Sequence, residues 1–229
     1  MKHIILALCL LIAASALAQR NVEKQEQISK SESVYLNFKF ANDIKVEQWN
    51  KNEVSIKASV YLDNGEGNDA FSLKTDRSSG VVKIYSDFGD YFEQKQKERK
   101  NWTGNRTTEI NYVVYVPKGV SLRVKSISGS LEMNTFIGDL RTDLISGDIT
   151  LKKYDGELRL KTVSGDVDVV IDKALIDAST VTGTIYSDLD IQQNSKKNYG
   201  TNQIKGSVNK GTEPLKLKTV SGDIYMRKG

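Results

Sequence analysis

The 229-residue chain holds one cysteine and one histidine, Cys9 and His3, and both lie within its first eighteen residues. Those residues read Met1-Lys2-His3, an apolar run from Ile4 to Leu17, and small side chains at Ala16 and Ala18 before polar Gln19. This is the pattern of a secretory signal peptide cleaved after Ala18. The run is shorter than the roughly 20 residues that span a bilayer, and the small residues suit a signal peptidase. Cys9 follows Leu8 inside the run and is not placed as a lipidated cysteine; an uncleaved anchor is the alternative. After cleavage no cysteine or histidine remains. Disulfides, Cys/His zinc or copper sites, Ser-His and Cys-His nucleophilic catalysis and imidazole acid-base chemistry are then excluded. The expected product is an exported protein, periplasmic or at the cell surface, with no integral membrane segment. It draws its stability from strand ladders and a core, as one elongated domain or two packed parts.

A block of one charge is also missing. The formal net charge is +4, or +3 once Lys2 leaves, and basic residues alternate with acidic ones along the chain, which reads as a solvated surface. The one local concentration, Glu93 to Lys100, mixes both signs in an expected loop and reads as a solvated excursion in preference to a polyanion site. No aromatic-basic platform recurs, so nucleic acid is not an expected partner. No long amphipathic helix is legible.

What is present is a repeat. Ser128-Gly129, Ser146-Gly147, Ser164-Gly165 and Thr182-Gly183 lie 18 residues apart, and Ser221-Gly222 follows 39 residues later. The preceding residue is apolar each time (Ile127, Ile145, Val163, Val181, Val220). Another apolar column follows at Leu131, Ile149, Val167, Ile185 and Ile224, with polar residues between it and a ninth-position column of Met133, Leu151, Val169, Ser187 and Met226. That alternation has period two and marks a strand. Gly138-Asp139-Leu140, Gly156-Glu157-Leu158 and Ala174-Leu175-Ile176 mark a second strand in each repeat. The expected fold is all-β: a β-solenoid of 18-residue coils, two strands per coil, each burying its apolar face by stacking on neighbours.

Upstream, 34–40, 44–49, 54–61, 71–75, 81–85 and 110–116 are also strand-like but irregularly spaced. The expected organisation is a signal peptide at 1–18, an N-terminal β region at 19–117 acting as cap or degenerate coils, and solenoid repeats at 118–229. The longest interruptions are 87–108 and 188–203. Loops of that length are usually functional or disordered.

Val116-Pro-Lys-Gly119, the following Val120-Ser-Leu-Arg-Val-Lys-Ser-Ile-Ser-Gly-Ser-Leu, Lys218-Thr-Val-Ser-Gly-Asp-Ile-Tyr225 and the strand Asp43-Ile-Lys-Val-Glu-Gln-Trp49 resemble the putative adhesin family of exported bacterial proteins. The resemblance covers most of the chain beyond the signal. It implies a β-solenoid in the bacterial envelope and brings no established catalytic or binding residues with it. Similar proteins often accompany envelope-signalling or stress-response systems, which gives an alternative role.

Asp148 and Asp166 are expected on adjacent coils, about 4.8 Å apart along one turn edge. Their flanking positions are Ser130 and Thr184, making a pair and not a row, which Asp223 joins only if the insertion loops out. Ser-Gly-Asp is ordinary turn chemistry, held by side-chain bonds to nearby backbone. A bridging Ca2+ is the alternative, and no other cofactor or metal is expected. Tyr91, Phe92 and Trp102 lie in or beside the long charged loop, either to stack on a sugar or protein partner or to fold back over the solenoid's open end. Asn101-Trp-Thr103 and Asn105-Arg-Thr107 match a glycosylation pattern that carries no weight in a bacterial protein.

The expected function is therefore non-enzymatic interaction with a protein or carbohydrate surface ligand, as adhesin or envelope scaffold. The alternative is a periplasmic accessory of a signalling system. The third reading, a carbohydrate-active enzyme on a β-helix, would draw on Lys161, Asp166 and Asp168, of which Asp166 and Asp168 read as part of a solvated outward column.

Overall fold

From Leu122 to Ser126 burial alternates residue by residue, and the same alternation returns in Leu140–Leu144, Leu158–Lys161 and Ala174–Thr180. One side of each strand is apolar and the other polar, so each is stable only with its apolar side against a second layer. The computed structural model, which describes residues 19–98, 107–193 and 202–229, provides that layer as two long, mostly parallel sheets around one apolar core. The expected signal segment, with Cys9 and His3, and Trp102 lie outside the described residues.

The first sheet runs Arg20–Gln27, Glu53–Leu62, Thr108–Pro117, Asp43–Trp49, Ser130–Met133, Ile149–Leu151, Val167–Ile171, Ile224–Lys228, Ile185–Ser187. The second runs Gln192–Gln193, Asn202–Val208, Ala174–Thr180, Pro214–Lys218, Leu158–Lys161, Leu140–Leu144, Leu122–Ser126, Ser33–Phe38, Val81–Asp87, Ser72–Ser78. A short parallel pair, Phe136–Ile137 with Tyr154–Asp155, makes a third side. Like stacks on like: Leu122, Leu140, Leu158 and Leu215 are successive partners in one sheet, and Leu131, Ile149, Val167 and Ile224 in the other. This solenoid-like stacking is closest at the corners. Gly147 and Gly165 have φ of +131° and +143°, and a Cβ on Gly165 would lie 2.3 Å from the Gly147 carbonyl oxygen, so no larger residue fits.

The coils do not stack in chain order. Ala174–Thr180 pairs on one edge with antiparallel Asn202–Val208, which carries the chain back to where the strand began. Pro214–Lys218 then enters parallel on the other edge, between Ala174–Thr180 and Leu158–Lys161. In the first sheet, Ile224–Lys228 likewise separates Val167–Ile171 from Ile185–Ser187. The last segment of the chain is thus an interior coil. At the other end Ser33–Phe38 and Asp43–Trp49 stack on the coil beginning at Leu122, Val81–Asp87 and Thr108–Pro117 form the next layer, Ser72–Ser78 closes the second sheet as an antiparallel strand, and antiparallel Glu53–Leu62 and then Arg20–Gln27 close the first. Both sheets therefore run continuously from 19–117 into 118–229.

Arg20–Gln27 forms an edge strand although none of its residues is buried: it pairs with Glu53–Leu62, Arg20 donates to the Asn68 and Phe71 carbonyls, and Glu26 accepts from Thr75. One local expectation is corrected. The mixed-charge stretch expected as loop carries a two-turn helix, α1 (Tyr91–Glu98). Phe92 on that helix, itself partly buried, packs against the core.

Candidate functional site

The Ser-Gly-Asp turns form one continuous hydrogen-bonded row. Ser130 Oγ accepts the Asp148 backbone N–H at 3.2 Å, Asp148 Oδ1 accepts that of Asp166 at 2.8 Å, Asp166 Oδ1 that of Asp223 at 2.7 Å, and Asp223 Oδ1 that of Thr184 at 2.8 Å. Each carboxylate fastens the next coil's corner. The expectation of an Asp148/Asp166 pair flanked by Thr184 is corrected to a row of three, because the Pro214–Lys228 segment intercalates and brings Asp223 onto Asp166. Each amide offsets part of the repulsion between neighbouring carboxylates. Among the described residues no group of three or more Asp, Glu, His or Cys is placed to hold a metal ion.

A second row lies just inside the corner and was not recognised from the sequence. The buried hydroxyls of Thr162, Thr219 and Thr180 each donate at 2.9 Å to the carbonyl of a stacked corner glycine, Gly147, Gly165 and Gly222 respectively. The signal was available, since threonine stands two residues before the Ser or Thr of three repeats.

The aromatic candidates lie elsewhere. Phe92 contacts Phe88 edge-on at 5.0 Å and Phe40 at 4.9 Å, and the Tyr91 hydroxyl donates to the Asp63 carboxylate. Both lie on helix α1, Phe92 packs against the core, and neither belongs to the Asp row. The imagined catalytic trio is also dispersed. Asp168 forks onto the Arg227 guanidinium at 2.7 and 2.8 Å on the first sheet, whereas Lys161 projects from the second.

The outer faces of the two sheets differ in charge. On the second sheet Arg123, Arg141, Arg159 and Lys216 occupy the same position on four successive coils. Two residues further along, the column is Lys125, Asp143, Lys161 and Lys218. Asp143 bonds Arg123 at 2.7 Å and reaches Arg141 at 3.4 Å, and Glu157 at the strand's start bonds Arg159 at 2.6 Å. Among the described residues Lys125, Lys161, Lys216 and Lys218 have no carboxylate partner.

Two residues beyond the lysines comes the column expected from the sequence simply as apolar. It points outward: Ile127, Ile145, Val163, Val220 and Val181 are between 38% and 51% exposed. Backbone bonds from Ser146 to Ile127, Ser164 to Ile145, Ser221 to Val163 and Thr182 to Val220 hold them in register as a ridge.

The first sheet presents Glu132, Thr150, Asp168, Tyr225 and Tyr186 in one outward column, beside the Asp row. Tyr186 and Tyr225 stack at 5.1 Å and 8° between planes. On this face Lys45 stands beside Glu132, Lys152 reaches Glu132 and Arg227 holds Asp168, so its strand charges are balanced while the second sheet carries an excess of cations. No helix among the described residues is long and apolar enough to cross a membrane.

Residues 121–227 match the family model described as Toastrack DUF4097. Among solved structures, a putative cell adhesion protein from Clostridium sporogenes ATCC 15579 is similar with a TM-score of 0.57 at 14% identity, covering 92% of this chain and 100% of that one. That likeness is one of fold. A putative lipid binding protein from Parabacteroides distasonis ATCC 8503 (TM-score 0.24, 12% identity, 92% and 97% covered) and a putative adhesin from Bacteroides fragilis NCTC 9343 (0.28, 9%, 92% and 97%) are more remote. No curated protein matches the sequence.

Proposed function

We propose that this chain is an exported, non-enzymatic interaction protein, an adhesin or envelope scaffold that works by presenting one face of a β-solenoid built on 18-residue coils with two strands each. In this reading residues 1–18 are a signal peptide and 19–117 supply a cap and degenerate coils for the repeats of 118–229. The observation that carries it is the sorting of side chains into rows. Identical groups recur at strand spacing on successive coils of a rigid sheet, a surface suited to an extended, repetitive partner. The description of the Clostridium protein as a putative cell adhesion protein is in keeping with it.

Protease shaving of intact producing cells tests location. Cleavage of the protein in intact cells, with a periplasmic marker spared, is expected for an adhesin. Protection until the envelope is permeabilised indicates a scaffold on the inner side. Recovery of the unprocessed chain from the cytoplasm overturns export.

A further inference from the structure

We propose that the cationic face of the second sheet, with the aliphatic ridge along its edge, docks on an anionic lipid bilayer. This names the partner of the interaction face proposed above and rests on that reading.

Single exposed aliphatic residues are normal on a folded protein. Five on consecutive coils are different: at about 4.8 Å per coil they form a ridge about 19 Å long with no polar residue interrupting it. Next to the ridge stand Lys125, Lys161 and Lys218, whose ammonium groups have no carboxylate partner among the described residues. The Arg123, Arg141 and Arg159 column follows. The order across the face is therefore an aliphatic ridge, a lysine column interrupted by Asp143, and an arginine column in which Arg123 and Arg141 share Asp143 and Arg159 holds Glu157, leaving a net cationic excess.

A bilayer interface offers complementary groups in close proximity: phosphate oxygens for the cations and the edge of the acyl region for the ridge. Long lysine side chains reach phosphates while their stems cover apolar surface. A soluble polyanion would satisfy the cations and leave the ridge in water. The first sheet, where Glu132 and Asp168 are paired with Lys152 and Arg227, offers no comparable cationic excess, and the Asp148, Asp166 and Asp223 row is repelled by the same lipids, which favours docking through the second sheet.

The test is co-sedimentation of residues 19–229 with phosphatidylcholine vesicles containing or lacking phosphatidylglycerol, over a range of salt. Binding to the anionic vesicles alone, weakening with salt, is expected. Each lysine near such a surface contributes about fivefold. The Lys125→Gln/Lys161→Gln/Lys218→Gln variant is therefore expected to lose about a hundredfold in partitioning. Ile145→Thr/Val163→Thr/Val220→Thr, which keeps β-branching, is expected to lose at least tenfold. Both should melt within a few degrees of wild type, and Glu132→Gln should bind no more weakly than wild type. Absence of binding to anionic vesicles overturns the proposal. So does a ridge variant that binds like wild type while soluble polyphosphate competes fully, which would identify a polyanion ligand instead. If wild type ignores vesicles but still binds isolated cell envelopes, only the lipid assignment fails; if it binds neither, the interaction reading fails with it.

Discussion

Asp166 and Asp223 are 57 positions apart in the chain and one coil apart in space, the Asp166 carboxylate accepting the Asp223 backbone N–H at 2.7 Å. This bond places the last segment in the middle of the stack. The coil at Ala174–Ser187, which precedes it in sequence, joins the body of the protein through it.

Deleting residues 214–229 removes a central strand from both sheets. It uncovers the strand edges of Leu158–Lys161 and Ala174–Thr180 and empties the buried positions of Leu215, Leu217, Ile224 and Met226. The expected outcome is loss of the cooperative thermal transition or insolubility. Deleting Arg20–Gln27, an edge strand with no buried residue, is expected only to lower the melting temperature. Calorimetry of the two truncations checks the order. Retained cooperative melting after the first deletion would mean that the stack follows the sequence.

The Asp row makes a separate prediction about chemistry. Asn at 148 and 166 keeps a carbonyl oxygen where the carboxylate accepts the neighbouring amide, so Asp148→Asn/Asp166→Asn should melt close to wild type. Ala at the same two positions leaves the amides of Asp166 and Asp223 without their acceptors and is expected to cost about 1 kcal/mol per bond. Neither wild type nor the Asn variant should gain melting temperature from calcium. A calcium-dependent rise in wild type that disappears in the Asn variant would identify a bound cation by mass action.

The repeat was legible because stacking demands it: Leu131, Ile149 and Val167 must fall at one height to share a core, and Gly147 and Gly165 must lack a Cβ to let corners approach. The insertion of Asp223 beside Asp166 was not legible. A parallel strand can enter a stack at any free edge, and which edge is free depends on the return of Asn202–Val208, a long-range pairing with no local signature. The outward direction of Ile145 and Val163 was obscured for a related reason. Period-two alternation continues past the end of the inner layer, so a β-branched residue at the corner looks like core. The arginine column at 123, 141 and 159 did carry the 18-residue period. It was hidden by Asp143 and Glu157 beside it in sequence, which stay on that face and pair with the arginines.

The strand face assigned to Ile149 makes a sharp contrast with its neighbour. Ile149 is 2% exposed between Leu131 and Val167, and Ile149→Asp places an unpaired charge there, an expected loss of several kcal/mol that spreads to adjacent coils. Thr150 points out of the sheet, and Thr150→Lys is expected to change stability by less than about 0.5 kcal/mol. Urea denaturation of the two variants compares them. Equal losses would reverse the assigned face.

Alkaline pH should expose two buried tyrosines. Burial holds the Tyr154 hydroxyl proton well above the ordinary tyrosine range, with Asp172 adding to the effect, and burial does the same to Tyr112 against an opposing hydrogen bond with Ser86. In the unfolded chain both ionise near pH 10. Below that pH each is protonated in both states and its contribution is fully present. Above it the unfolded chain releases protons that the folded protein retains, so stability falls by about 1.4 kcal/mol per pH unit for each group. Tyr154→Phe should remove about half of that slope. It should also cost little at neutral pH, because the buried Tyr154 hydroxyl has no hydrogen-bond partner among the described residues. Tyr112→Phe should flatten the slope equally but lose about 1 kcal/mol at neutral pH with its bond to the Phe40 carbonyl. Urea titrations at neutral pH and above pH 10 separate the two. A Tyr154→Phe protein with the full wild-type alkaline slope would show that this hydroxyl ionises freely in the folded state.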